Sequence, residues 1–301
     1  MKNLLSAVLA LLMCLLPLLG CAEGEEELKN AYYAAFDLLD AGETDAAYAE
    51  MVRVAELGYA PAMYAVGYYL DTGDFSGGTP DRETAVQWWL RAVEAGDDKA
   101  LQALGHHYAH NADPIDCAKA EEYLLKAAEA GLEGAMYNLG VHYGNGDFNG
   151  GTPDPVKAKE WYIKAVEAGN EGALGNAIEL CGNGAKDENG EVLLATDHQK
   201  LYEILVGAYE GGTQKTFVHD WLGWMYAGNS DLMEADYAKA QEVYMAGANL
   251  GSGYCMAQLG CMYRDARIGM ADTVAAQAWF TKALEAGYAD AQAMLDALAA
   301  E

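Results

Sequence analysis

Apolar residues in this chain recur at helical spacing, with almost none of the strict alternation that marks strands. Between Ala135 and Gly172, the residues Ala135, Leu139 and Tyr143 fall at i, i+4 and i+8. Ala158, Trp161 and Ala165 fall at i, i+3 and i+7, so the stretch predicts two helices, each with one apolar stripe. Thr152-Pro153 reads as the start of the second helix, a hydroxyl to cap and then proline at the first helical position. Gly169 reads as its stop. Gly140, without a side chain, marks a place where a facing helix can come close.

These marks return along the chain. The closing glycine recurs at Gly58, Gly96, Gly131, Gly169, Gly211, Gly251 and Gly287, at intervals of 35 to 42 residues. The first-helix glycine recurs at Gly67, Gly105, Gly140, Gly223 and Gly260, with Ile178 in its place in one copy. An aromatic residue eight before the closing glycine appears as Trp88, Trp161 and Trp279. A fixed period of this size predicts a stacked-repeat architecture, because one helix pair cannot bury its apolar stripe alone.

The pattern A-x3-LG-x2-Y…KA-x2-WY-x-KA-x2-G is carried by Ala135, Leu139, Gly140, Tyr143, Lys157, Ala158, Trp161, Tyr162, Lys164, Ala165 and Gly169. Leu104-Gly105 with Tyr108, Leu222-Gly223 with Tyr226, and Leu259-Gly260 with Tyr263 repeat its first half. It resembles the Sel1-like repeat, a relative of the tetratricopeptide repeat. The resemblance implies an all-α fold, a right-handed α/α solenoid (superhelix) of helix pairs serving as an interaction scaffold.

The expected organisation is a leader over 1–21, an acidic spacer over 22–27, a capping helix pair over 28–58, six repeats over 59–288 and a closing helix over 289–301. The leader reading rests on Lys2 followed by the apolar run from Leu4 to Leu19, which Pro17 breaks. Leu18-Leu19-Gly20-Cys21 resembles a bacterial lipobox, which would place an acyl chain on Cys21; ordinary cleavage after Ala22 is the rival. The protein is thus expected to be exported, at the cell envelope or outside it, with a lipid anchor as one form of attachment.

The net charge of −28 excludes a phosphate-binding role in nucleic-acid recognition and favours basic partners. Cys117, Cys181, Cys255 and Cys261 lie outside the leader at spacings that suggest no disulfide in each repeat, and they are expected as free thiols. Two near-identical turns, GDFSGGTPD from Gly73 and GDFNGGTPD from Gly146, place Phe75 and Phe148 for packing on the neighbouring repeat. Asn145, Asp147 and Asn149 echo a calcium loop, but Val156 stands where its bidentate glutamate belongs. An insertion from Asn183 to Thr196 carries Asn189-Gly190, a tight-turn signal, beside a short strand at Glu191 to Leu194.

Chemistry-bearing motifs are sparse. His106, His107, His110 and His142 include an i, i+4 pair of the kind that can share a metal, with no obvious carboxylate or cysteine to complete a site. No G-x-S-x-G, S-x-x-K or H-E-x-x-H occurs. The β-lactam binding associated with cysteine-rich relatives does not carry over, because their cysteine pattern is missing.

In the family the first helices line the inner, concave wall. The residue after the first-helix glycine and the one three before it are expected to face inward: Tyr64, Tyr68, Gln102, His106, Tyr137, Val141, Asp220, Trp224, Ala257 and Cys261. Aromatic side chains there give large contact area at low entropic cost. The expectation is therefore a non-catalytic scaffold that needs no cofactor and binds a basic or aromatic-binding peptide or protein at Tyr64, Tyr68, His106, Tyr137, Val141 and Trp224. It touches no nucleic acid, and meets a membrane only through a lipid on Cys21. A cell-wall or β-lactam-related hydrolase and a cation-binding envelope protein are the competing classes.

Overall fold

A computed structural model describes residues 24–74 and 78–300. The leader, the lipobox with Cys21 and the aromatic residue Phe75 lie outside these residues. Two compact units form, Met1–Pro153 and Asp154–Glu301.

In unit 1, α1 (24–40) and α2 (Thr44–Glu56) precede α3 (Ala60–Thr72), α4 (Arg82–Glu94), α5 (Lys99–His106), α6 (Cys117–Glu129) and α7 (Glu133–Asn145). A wider π turn, His107–Asn111, continues α5. In unit 2, α8 (Pro155–Glu167), α9 (Ala173–Asn183), α10 (His198–Glu210) and α11 (Thr216–Trp224) are followed by α12 (Tyr237–Asn249), α13 (Gly253–Arg264), α14 (Thr273–Glu285) and α15 (Ala291–Ala299). The expected short strand in the insertion after α9 is β2 (Val192–Leu194), and it pairs antiparallel with a second strand, β1 (Ala185–Lys186), to form a hairpin. The Asp187 carboxylate accepts from the Asn189 and Glu191 amides to close its turn. Within each unit the main helix–helix packing joins consecutive helices, with α3 on α5 and α11 on α13 as neighbouring first helices. Sequence neighbours are thus spatial neighbours, as in an α/α solenoid.

The first-helix glycine does what its spacing predicts. A Cβ on Gly67 would stand 2.5 Å from Trp89 Nε1, one on Gly105 2.6 Å from Leu124 Cγ, and one on Gly260 2.5 Å from Phe280 Cε1. The Tyr244 ring lies in the same way on Gly223. The buried partner is the residue after the expected aromatic. Trp89, Tyr162, Tyr244 and Phe280 are buried, whereas Trp161 and Trp279 are only half-buried. A step of 100° round the helix turns the rings of Trp161 and Trp279 outward, whereas Trp88 is buried together with Trp89; a cation lies over each of the three: Arg91 over Trp88 at 4.1 Å, Lys164 over Trp161 at 3.9 Å and Lys282 over Trp279 at 4.4 Å. The WY-x-KA pattern therefore encodes one inward wedge and one covered outer ring.

Each second helix from α4 onward begins on an aspartate. Asp81, Asp116, Asp154, Asp197, Asp236 and Asp272 accept from the amides of Thr84, Lys119, Lys157, Lys200, Lys239 and Ala275 at 2.9–3.1 Å. The start assigned to Thr152-Pro153 thus moves to Asp154-Pro155, because a carboxylate satisfies the orphan amide there. Five of these aspartates also donate their own N–H to the last turn of the preceding first helix, at Leu70, Tyr108, Cys181, Tyr226 and Tyr263. Cys181 sits three after Ile178, as the others sit three after their glycine, so Ile178 does occupy the glycine position.

The closing glycines Gly58, Gly96, Gly131, Gly169, Gly251 and Gly287 have φ of 88–99°, the left-handed conformation that stops a helix. In the copy after the insertion the stop is Gly212, with φ 74°, and Gly211 is ordinary at −70°. In the twin turn, Gly146 is left-handed at 83° and a Cβ there would strike the Thr152 backbone, so glycine is required. Phe148 rests on His142 and Tyr143 of its own repeat, at ring separations of 4.8 and 5.5 Å, in a short turn (Asp147–Asn149) that also packs on α6 of the preceding repeat. Cys117, Cys181, Cys255 and Cys261 are free thiols.

Two outcomes test this account. Gly67→Ala must push Trp89 off its seat, where Trp89 Nε1 donates to the Tyr64 carbonyl at 3.2 Å, and should cost about 2 kcal/mol in urea denaturation. Gly24→Ala, with nothing within 4 Å of the added methyl, should leave the midpoint nearly unchanged. At Asp197, burial pushes the carboxyl up, but the Lys200 amide and the Lys159 ammonium 3.0 Å away pull it below its ordinary 3.8 overall. A depressed carboxylate stabilises above its unfolded value, and the effect fades as pH falls through the folded one. Asp197→Ala should therefore cost about 1 kcal/mol at pH 7, and that difference should shrink as the pH is taken below 3.8.

Candidate functional site

The first helices of unit 1 are held at a fixed spacing, and their outward residues meet in an open cleft of about 870 Å³. Tyr64 and Tyr68 of α3 and Gln102 and His106 of α5 all line it. Tyr68 is 49% exposed, and Tyr64 is half-buried with its phenol pushed above the usual range by burial and then by Asp97. The α7 wall is made by Glu133 and Asn138, not by Tyr137 and Val141, which are half-buried and outside the lining. Charge in the cleft is mixed: Arg82 and Lys99 stand with Asp71 and Glu133. Asp71 is the polar hub, accepting from Asn111 Nδ2 at 2.9 Å, facing His107 Nδ1 at 3.4 Å and lying 3.8 Å from Arg82 Nε.

The histidines do not assemble a metal site. His107 turns to Asp71, and His142 Nδ1 pairs with Asp147 Oδ2 at 2.8 Å. Both are buried, and each is satisfied by a carboxylate. His106, His110 and His142 do form a ladder of rings 4.8 and 5.2 Å apart. His110 within it is held below its ordinary value by burial, then by His106 and His142. Among the described residues no group of three or more His, Cys, Asp or Glu side chains is placed to hold a metal ion. Asp147 serves His142 and the Asn149 side chain closes its own turn on the Thr152 carbonyl, so the calcium echo resolves into turn geometry.

Unit 2 has its own cleft, of about 450 Å³, lined by Gly182 and Asn183 of α9, Asp220, Trp221 and Trp224 of α11 and Tyr254 of α13. The two indoles lie 5.5 Å apart at 75°. Asp220 Oδ1 accepts from Ser252 Oγ at 2.5 Å and from Cys255 Sγ at 3.1 Å. Burial, and then Asp220, keeps the Cys255 thiol protonated by pushing it far up. Of the two residues expected to face inward on α13, Ala257 is fully buried against Ala283 and Ala291, and Cys261 is half-buried with its thiol raised by burial. A larger opening of about 990 Å³ at the turns of α8 to α11 contains no aromatic residue and none of the expected binding residues. Of the residues that sequence spacing placed facing inward, Tyr64, Tyr68, Gln102 and His106 line the first cleft and Asp220 and Trp224 the second; Asn138, Asp71 and Tyr254 line them without having been singled out. Their inward aim depends on the neighbouring helix rather than on their own motif position.

No described helix is long and apolar enough to cross a membrane. The Sel1 repeat model matches residues 60–97, 99–132, 134–170 and 253–288. Among curated proteins, the chain is 41% identical over 76 residues to chitin synthase regulator SKT5 of Malassezia restricta, covering 25% of this chain and 5% of that protein. Among solved structures, it resembles a protective antigen of uropathogenic Escherichia coli strains that displays an SLR fold. That likeness has a TM-score of 0.66 and 25% identity, over 94% of this chain and 59% of the other. A Sel1 repeat protein from Oxalobacter formigenes matches with a TM-score of 0.58 and 23% identity, over 90% and 76% of the respective chains. The chain thus spans about a twentieth of the curated relative and under two thirds of the first of these structures. With helix pairs wedged on glycine, clamped by aspartate and matched by the repeat model four times, the chain is a Sel1 repeat protein.

Proposed function

We propose that this chain is a non-catalytic scaffold of the bacterial cell envelope that holds a peptide or protein partner at the clefts of its first helices. Sel1 repeat proteins are commonly protein–protein interaction scaffolds and are generally non-catalytic. The observation that carries the reading to particular residues is the meeting of Tyr64, Tyr68, Gln102 and His106 in one cleft. These side chains project from helices fixed by buried wedges, so contact area is presented with little loss of freedom on binding. The envelope location is supported by the leader reading of Leu4 to Leu19 and Cys21, and by likeness to a protein described as a protective antigen. Attachment through an acylated Cys21 belongs to this proposal, as does binding at Trp224 in the second cleft.

The experiment is capture from an envelope extract on immobilised protein, with identification of the bound partner and titration against the purified species. Tyr68→Ala with His106→Ala should weaken that binding by at least about tenfold while circular dichroism and the thermal midpoint stay put. Unchanged affinity in the double variant would remove the unit 1 cleft from the reading. Mass spectrometry of the mature amino terminus should find a lipid-modified Cys21; an unmodified terminus at Glu23 would end the anchor.

A further inference from the structure

We propose that the cleft between α9, α11 and α13 is a receptor for one arginine side chain carried by a partner peptide. This rests on the scaffold reading and narrows it to a chemical class at a second site. The tryptophans make the case. Trp88, Trp161 and Trp279 each lie beneath a cation of their own helix, at 3.9–4.4 Å. Trp89 is buried and its N–H is bound to the Tyr64 carbonyl. Only Trp221 and Trp224 remain of the six in the sequence. Both are half-buried, they face the same cleft, and among the described residues no Lys or Arg covers either ring.

The cleft is built rather than incidental. A Cβ on Gly182 would come within 2.7 Å of Trp221 Cη2, so the glycine is what seats that indole. Asp220 and Trp224 are i and i+4 on α11, on one face. Asp220 is fixed through Oδ1 by the Ser252 hydroxyl and the Cys255 thiol, both neutral donors, and Oδ2 takes no hydrogen bond from the described residues. No basic side chain lines the cleft. His198 reaches the edge of Trp224 at 6.0 Å, but its Nδ1 is engaged by Asp231 on the outside. Tyr254 adds no second anion at neutral pH, because burial, then Tyr288 and Asp220, hold its phenol at about 12.

A fixed carboxylate without a counter-charge, beside two indole rings, favours a cation over any neutral ligand. A volume of about 450 Å³ accepts one side chain and not a folded element. Guanidinium suits it better than ammonium: it is planar, weakly hydrated, stacks on rings and can still donate to Oδ2. The chain's net charge of −28 draws basic segments toward it.

The test uses the full chain with ¹⁵N-labelled indoles, at low salt. The probes are acetyl-Gly-Arg-Gly-amide, its citrulline counterpart, which keeps the shape without the charge, and tetramethylammonium chloride. The arginine peptide should shift the indole signals of Trp221 and Trp224 saturably and leave those of Trp88, Trp161 and Trp279 in place. The citrulline peptide should bind at least about tenfold more weakly. Asp220→Asn, which keeps the acceptor for Ser252 and Cys255, should weaken the arginine peptide by a similar factor, and Trp224→Leu should abolish the response. Equal binding of citrulline, undiminished binding to Asp220→Asn, no response to arginine, or a response to tetramethylammonium alone would each overturn the proposal. Partner capture that persists when the arginine peptide fails sinks this site and leaves the scaffold. Arginine binding without any partner capture does the reverse.

Discussion

A helix carries a ring of a second helix against its backbone only where it has no side chain of its own, and this close approach governs the repeat. Gly67 under Trp89, Gly105 under Leu124, Gly223 under Tyr244 and Gly260 under Phe280 are the same contact made four times. Packing at protein density leaves no room for a methyl group at such a point, so the glycine and its wedge are specified together. The rest of the pattern follows. Burying the second ring of the WY-type pair rotates the first ring outward, and a Lys or Arg three residues on covers it.

The aspartate at each second-helix start completes the joint. Its carboxylate accepts from one of the second helix's orphan amides, and in five of the six copies its own N–H returns to the first helix. Two hydrogen bonds from one residue fix where the second helix begins relative to the end of the first. Surface pairs such as Arg91 with Glu56 add little by comparison, because both partners are exposed and screened. The scaffold is therefore held by backbone-level constraints, and its outward side chains are free to vary for recognition.

That freedom is used unevenly. Unit 1 shows a cleft of phenols, amides and mixed charge, with Asp71 saturated by Asn111, His107 and Arg82. Unit 2 shows a smaller, aromatic cleft whose carboxylate has only neutral donors. One repeat design thus presents two different chemistries in its two clefts.

The chain by itself determined the helix pairs, their period, the stops at most closing glycines, the tight turn at Asn189-Gly190 and the identity of the Sel1-like pattern. These are local: apolar spacing, a left-handed glycine and a tight turn need no distant partner. Tertiary structure decided that Tyr162 and Phe280 rather than Trp161 and Trp279 are the buried rings of their pairs, that Asp154 rather than Thr152 opens α8, that Gly212 replaces Gly211, and that Ala257 is core. It also decided that Tyr64, Tyr68, Gln102 and His106 share one cleft while Tyr137 and Val141 stand outside it. The reason is geometric. Motif position sets a side chain's angle on its own helix, but what it meets depends on the axis of the next helix, which the glycine wedge and the aspartate clamp fix from residues elsewhere in the chain.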